Sequence, residues 1–349
     1  MNTPLRGVGV GAGYFSQFQY DAWHRLPGVE IAALADTDAD RARMVASQYG
    51  IPNVYADYGA MLDEVAPDFV DVITPPPTHH ALCLEAARRG INVICQKPIA
   101  PTMAEAEALV QAMAQSKAET GARFMVHENW RWQPWYRQTK ALLDAGTLGD
   151  VFTLYFRMRT GDGWPDDAYM ARQPYFRDYP RLLMFETGVH FIDTFRYLLG
   201  EVTSVQARHW RRNPNIRGED AALVTLTFAS GATAVLDANR YNEPEDGVDP
   251  RYTFGTFRLD ASKGHLTLNA DGALRHKPLG QPTRHIDYAP SKRGFAGDSC
   301  FALQEHFVQA VQSGRPFESE GMDYLKTLRV LEACYESAEN GMSAKLAPH

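Results

Sequence analysis

Three places in this 349-residue sequence hold residue types whose spacing suits chemistry. Glu186 and His190 stand four apart and Asp193 follows three later, so a helix running to about Leu199 would carry all three along one face. That pattern sets a carboxylate beside an imidazole. With an ordinary pKa of about 6.5, an imidazole can take a hydroxyl proton near neutral pH while a carboxylate orients it. A histidine at the start of an amphipathic helix also serves as a polar core or capping residue, and both readings stand at this point. Lys97 follows the apolar run Ile91–Cys95 and Gln96. At the carboxyl end of a parallel strand its ammonium can hold a substrate hydroxyl and stabilise charge developing on the oxygen; otherwise it is a surface lysine. The third place is Gly11-Ala12-Gly13-Tyr14-Phe15-Ser16, between a strand pattern and a helix pattern. Gly11 permits a tight turn, Gly13 lets the main chain approach a pyrophosphate, and the helix that follows offers unpaired N–H groups. Gly7 and Gly9 leave the register of this turn open, and Asp36, ending the next strand with Asp38 just beyond, selects it. An acid there accepts from a ribose 2′-hydroxyl and repels a 2′-phosphate, which points to NAD rather than NADP.

The elements that must position these residues fall into two groups. From Leu5–Val10 through a helix over about 15–26, Val29–Ala35, Asp38–Tyr49, Phe69–Ile73, His79–Arg89, Ile91–Cys95, Pro101–Ala118 and Phe124–Val126, short apolar runs alternate with amphipathic stretches. That is the signature of an α/β domain with a doubly wound parallel sheet. After residue 150 the strands lengthen and alternate with period two: Val151–Arg159, Val202–Trp210, Ala221–Ala229, Ala232–Tyr241, Tyr252–Leu259 and His265–Asn269. These suit a large open, mostly antiparallel sheet in an α+β domain with one covered face, and Ser230-Gly231 marks a hairpin. The expected division is 1–123 and 124–349, with the closing helices Phe301–Val311 and Met322–Ala338 placed to pack back on the first domain.

Composition narrows the partners. Hydrophobic residues make up 45% and charged residues 22%, as in soluble globular chains, so disorder and fibrous repeats are poor readings. A formal charge of −7 repels a phosphate backbone, and the basic stretch Arg208–Arg217 reads as a solvated loop, so nucleic acid is not an expected partner. Cys83, Cys95, Cys300 and Cys334 are widely spaced, which suits a reducing cytoplasm rather than a disulfide framework. No secretory signal or membrane span is read, and His79-His80 has no ligand spacing, so no metal is expected.

The glycine turn, Asp36, Ile73-Thr74-Pro75-Pro76 with His79, Gln96-Lys97-Pro98, Asn129–Pro134, and Glu186-Thr187-Gly188-Val189-His190 with Asp193 are similar in order and spacing to one family. They resemble the glucose-fructose oxidoreductase/inositol dehydrogenase/rhizopine catabolism (Gfo/Idh/MocA) oxidoreductases. The resemblance implies a Rossmann domain followed by a substrate domain whose sheet face forms a homodimer or homotetramer. It implies NAD as cofactor, contacted by Gly11, Gly13, Tyr14, Phe15, Ser16, Asp36, Asp38, Thr74, Pro75, His79, Gln96, Lys97 and Trp164. Lys97 becomes the catalytic lysine, His190 the general base and Glu186 the accompanying carboxylate. Asn129, Trp130, Arg131, Trp164, Arg172 and Asp193 join Lys97 and His190 around a sugar or polyol. The family usually carries Glu where this chain has Gln96 and Asp where it has Glu186, and often a cis peptide where Lys97 meets Pro98. The aromatic and polar segment His127–Tyr136 suits a sugar's C–H faces and hydroxyls, or else an interface packing cluster. The loop Gly161–Asp167, with Trp164 and with Tyr169 and Arg172 beyond it, would close over nicotinamide or substrate, or plug an interface. The implied reaction is NAD-dependent oxidation of a hydroxyl, and segment 129–136 with Glu186 is similar to the branch acting on D-apiose, which implies a lactone. The same fold hosts dinucleotide-binding sugar sensors and NAD-assisted glycosidases; intact Lys97 and His190 argue against the sensor.

Overall fold

The computed structural model describes residues 4–245, 247 and 249–347 and divides into two compact units. The first runs to Asn129 and adds Asp298–Lys326; the second comprises Trp130–Gly297 and the chain from Thr327 on.

The first unit alternates β1 (Leu5–Val10), α1 (Ser16–Arg25), β2 (Val29–Ala35), α2 (Ala39–Tyr49), β3 (Asn53–Tyr55), α3 (Tyr58–Val65), β4 (Phe69–Val72), α4 (His79–Ala87), β5 (Asn92–Gln96), α5 (Met103–Thr120) and β6 (Phe124–His127). All six strands are parallel, in the order β3-β2-β1-β4-β5-β6. The chain reverses its winding between β1 and β4, the place where such sheets open a crevice at their carboxyl ends. Side chains dictate the helix ends: Asp38, Asp57 and Thr102 each accept an N–H of the first turn of α2, α3 and α5. The strand Phe124–His127, which the sequence reading sets beyond a boundary at residue 123, pairs with β5 through Val93 and Phe124. β3 and α3 were not read from the sequence, because Asn53–Tyr55 is three residues long and nowhere fully buried.

The second unit is built on a nine-stranded sheet. Its elements begin with α6 (Pro134–Asp144), β7 (Val151–Arg159), α7 (Val189–Leu199), β8 (Val202–Trp210), β9 (Ala221–Phe228) and β10 (Thr233–Asn239). After the short α8 (Pro250–Thr253) come β11 (Thr256–Ala261), β12 (Gly264–Leu268), β13 (Leu274–Pro278) and β14 (Arg284–His285). The helix α9 (Ser299–Ser313) belongs to the first unit and packs on α1, with Arg25 bonded to Asp298 at its start. The long α10 (Gly321–Asn340) leads to β15 (Ala344–Lys345). Strand order is β14-β13-β12-β11-β7-β10-β9-β8-β15, antiparallel throughout except where β10 lies parallel to β7. Alternating burial along β7 and β10 gives one covered and one open face. The strand expected at Tyr252–Leu259 starts four residues later. Asp249 caps a helical turn begun by Pro250, and Gly255 (φ +141°) then brings the chain so close that a Cβ there would sit 2.1 Å from the Arg157 carbonyl oxygen.

Candidate active site

In the first unit the glycine turn joins β1 to α1. Gly11 has φ +107°, and a Cβ there would lie 2.9 Å from the carbonyl carbon of Ile73, so only glycine fits where the turn meets the segment holding Thr74 and Pro75. A Cβ on Gly13 would meet nothing within 4 Å, and the first turn of α1 has no side-chain cap. Open space over Gly13 beside a helix start without a side-chain cap is what a pyrophosphate requires, so this turn fits a dinucleotide. Gly7 and Gly9 do other work: their missing Cβ atoms make room for the Phe69 and Tyr20 rings. The Ser16 hydroxyl donates to the Gly13 carbonyl at 2.7 Å and so braces the turn. Tyr14 and Phe15 are half-buried at the mouth of the turn.

Asp36 ties this turn to the next helix. Its carboxylate accepts from the Ala12 N–H at 2.6 Å, the Asp38 N–H at 2.8 Å and the Arg41 guanidinium at 3.1 Å. Partial burial pushes its pKa up, but the two main-chain donors and Arg41 outweigh this and hold it below the usual carboxylate range. Asp38 caps α2 through the Arg41 N–H.

At the end of β5, the Lys97-Pro98 peptide is cis, and the Lys97 N–H donates to the Gln96 side-chain carbonyl at 2.8 Å. The Gln96 amide donates to Gln19, and the Gln19 amide donates to Asp71, which also accepts from the Trp23 indole at 2.7 Å. Asp71 is fully buried on β4, and that burial pushes its pKa up to about 7 against the pull of these donors. Sequence reasoning missed this network, whose only signal was an acid inside the apolar run Phe69–Ile73. His79 is buried, with Nε2 2.7 Å from the Thr74 carbonyl and Nδ1 3.3 Å from the Ile99 carbonyl. Burial lowers its pKa against the pull of these carbonyls, and the ring sits between the Thr74 turn and the segment after Pro98. Asn129 is also buried, its amide donating to the Ser299 hydroxyl at 2.8 Å.

In the second unit, the helix expected to carry Glu186, His190 and Asp193 on one face opens with a π turn. Met184–Gly188 forms a π-helical turn that runs directly into α7 at Val189, so Glu186 lies on the π turn and His190 and Asp193 on the α-helix. The buried Glu219 carboxylate caps the start of this turn: it accepts from the Leu182 and Met184 N–H groups and from the Tyr335 hydroxyl. Glu186 is half-buried, whereas His190 and Asp193 are buried. Asp193 receives Arg131 in a two-point ion pair, Nε to Oδ2 at 2.8 Å and Nη2 to Oδ1 at 2.6 Å. Trp130 stacks on the His190 imidazole, ring centroids 4.6 Å apart and planes 3° apart. Trp132, Trp135 and Tyr136 are also buried, so the aromatic segment builds this unit's core. Arg172 bonds Asp162, which the buried Arg240 holds as a carboxylate, while Trp164 is 48% exposed on the same loop.

A parallel six-stranded sheet with a glycine turn and an acid ending β2 defines an NAD-binding oxidoreductase fold, and comparison with known proteins agrees. Residues 5–126 match the family model for the oxidoreductase family with NAD-binding Rossmann fold, and residues 136–267 match the GFO/IDH/MocA C-terminal domain. The chain belongs to the Gfo/Idh/MocA oxidoreductases. It is 34% identical to a D-apiose dehydrogenase of Rhizobium rhizogenes over 99% of this chain and 98% of that protein. It is 35% identical to a D-apiose dehydrogenase of Paraburkholderia graminis over 98% of this chain and 90% of that protein. An oxidoreductase from Agrobacterium radiobacter, solved with NAD+, L-tartaric acid and magnesium, superposes with a TM-score of 0.88 at 32% identity, covering 98% of each chain.

Proposed function

We propose that this enzyme oxidises the anomeric hydroxyl of a sugar of the D-apiose type to its lactone. What carries the substrate class is the similarity over 98–99% of the chain to two D-apiose dehydrogenases. The first unit holds NAD through the Gly11–Ser16 turn, Asp36 and the Thr74-Pro75 and Gln96-Lys97 segments; the second supplies most of the sugar's contacts. NAD, when bound, supplies the hydride acceptor. His190 takes the hydroxyl proton at a ring nitrogen, and Glu186 contributes negative charge that favours the imidazolium. The Lys97 ammonium holds the same hydroxyl and stabilises charge as it develops on the oxygen. Around the site, Arg131 and Asp193 serve the sugar by fixing α7, and Trp164, on the loop Gly161–Asp167, closes over it with Arg172 beyond that loop.

We assign a homo-oligomer formed through the open sheet face, where Tyr155 and Leu223 stand 41% and 42% exposed. A reducing compartment, the cytoplasm, suits four buried free cysteines.

NADH formation against a panel of aldoses, branched sugars and inositols, with NAD and NADP in parallel, tests the reading. The expected result is turnover of D-apiose with NAD. His190→Asn and Lys97→Met should each lower kcat/KM about 10³-fold. Asp36→Ala, which removes the nearer of Arg41's two carboxylate partners, should relax the preference toward NADP. NAD binding without turnover of any sugar would overturn the proposal.

A further inference from the structure

We propose that Trp130 is a positioning residue for His190, fixing the plane of the imidazole and stabilising its protonated form as the ring takes up the substrate proton. The inference rests on the reading of His190 as the base and adds what holds and tunes it.

The geometry is that of a built support. The two rings are stacked at 4.6 Å with planes 3° apart, and Trp130 is 2% exposed, so its face lies on His190 and not on open surface. The indole is itself held by Phe191, edge-on at 4.8 Å, and Phe254, tilted at 4.5 Å. Trp130 sits in a 3₁₀ turn, Trp130–Trp132, and the next residue, Arg131, is bonded twice to Asp193. Residues 190 and 193 are neighbours on the same side of α7, so two adjacent residues of one turn grip the helix at two adjacent points.

Stacking engages the face of an imidazole and leaves proton transfer to its in-plane nitrogens. The indole face carries the negative lobe of the ring quadrupole, so it attracts an imidazolium more than a neutral imidazole. The contact therefore strengthens as the proton arrives, which is stabilisation directed at the transition state rather than at the resting site. Charged groups on or bonded to the segments packed against α7 include, among the described residues, Arg131, Arg137, the Lys140–Asp144 pair, Glu186 and Arg240, with Asp193 and the Glu201-paired Arg196 on the helix itself. All are retained in the variants below, so a change in titration belongs to the stack.

The test uses the full-length protein with Trp130→Phe, Trp130→Leu and His190→Asn. Its first readout needs no substrate: an imidazolium draws electron density from an excited indole, so protonation of His190 should quench Trp130. The fluorescence difference between wild type and Trp130→Phe should show one titration step between about pH 5 and 8, and His190→Asn should remove that step. The second readout is the pH dependence of kcat/KM on the sugar oxidised. Trp130→Leu should move the low-pH limb to lower pH by about one unit and lower kcat about tenfold with KM for NAD unchanged, while Trp130→Phe, which keeps an aromatic face, moves the limb less than half as far. A fluorescence step that survives in His190→Asn, or a limb unmoved by Trp130→Leu, overturns the proposal. If the leucine variant does not fold, the fluorescence step and the phenylalanine variant still decide it. Full activity in His190→Asn with the step abolished would instead sink the base itself, and so separates the two failures.

Discussion

The two units hold their functional residues by different physical means. In the first, the dinucleotide turn is positioned by the main chain: a left-handed glycine against Ile73, a serine bonded back to Gly13, and one carboxylate spanning two N–H groups. In the second, α7 is positioned by side chains: a buried Arg131–Asp193 pair, a stacked indole, and a Glu219 carboxylate that caps the π turn. Main-chain positioning tolerates many side chains but few changes of backbone conformation. Side-chain positioning depends on partners that must be present together. Substitutions should therefore fail in opposite ways in the two units.

The largest effect should come from removing one member of the buried pair. Arg131→Met leaves Asp193 charged, desolvated and short of a partner, which costs about 3–5 kcal/mol of stability in comparable sites. Arg131→Met combined with Asp193→Leu removes both charges and should recover much of that loss, as denaturant unfolding can measure. Equal losses in single and double variants would break the contrast, since the pair would then matter only for packing. Next in size is Gly11→Ala, which forces a side chain into φ +107° and toward the Ile73 main chain; about 1–3 kcal/mol of stability should go with it. Gly13→Ala sharpens the point. Its Cβ meets nothing in the protein, so thermal stability should barely change while the Kd for NAD rises at least about tenfold, by calorimetry or fluorescence titration.

The same division explains what could be read from residues alone. Elements set by local pattern were legible: Leu5–Val10, Val29–Ala35, Val151–Arg159 and Val202–Trp210 lie where alternation or apolar runs place them. The glycine turn and Asp36 were legible because spacing along the chain is nearly spacing in space. The capping of the π turn was not, because the carboxylate that accepts its first N–H groups, Glu219, lies over thirty residues away and carries no local signal. The aromatic segment 130–136 was ambiguous for a related reason, since burial and sugar stacking call for the same side chains. Only the partners decide, and Trp130 has His190 as one of them. Asn129 and His79 likewise show polar side chains turned to main-chain or core partners within their own unit.

The smallest expected effect tests a place where the first unit departs from its own rule. Asp71 is a side-chain hub beneath the Lys97 segment, buried between Val70 and Val72 and accepting from the Gln19 and Trp23 donors. Its pKa in the folded state is about 7, above the 3.8 of an unperturbed aspartate. Between those values the folded chain keeps a proton that the unfolded chain has lost, so this group's contribution to stability falls as pH rises from about 4 to 7 and is constant beyond. Asp36 works the other way, because its lowered pKa gives stability that is present above the ordinary carboxylate range and lost on acidification. The raw pH profile of the enzyme therefore mixes opposing slopes, and a difference between variants isolates one of them. Asp71→Asn cannot titrate, and its buried amide N–H₂ gains no acceptor, so it should be less stable than wild type at pH 5. By pH 8 the wild type bears the cost of a buried charge, and the gap should shrink or reverse by roughly 5 °C in thermal midpoint. A gap that stays constant from pH 5 to 8 would mean that Asp71 keeps one protonation state throughout, and that the Gln19–Gln96 chain ends on a permanent charge.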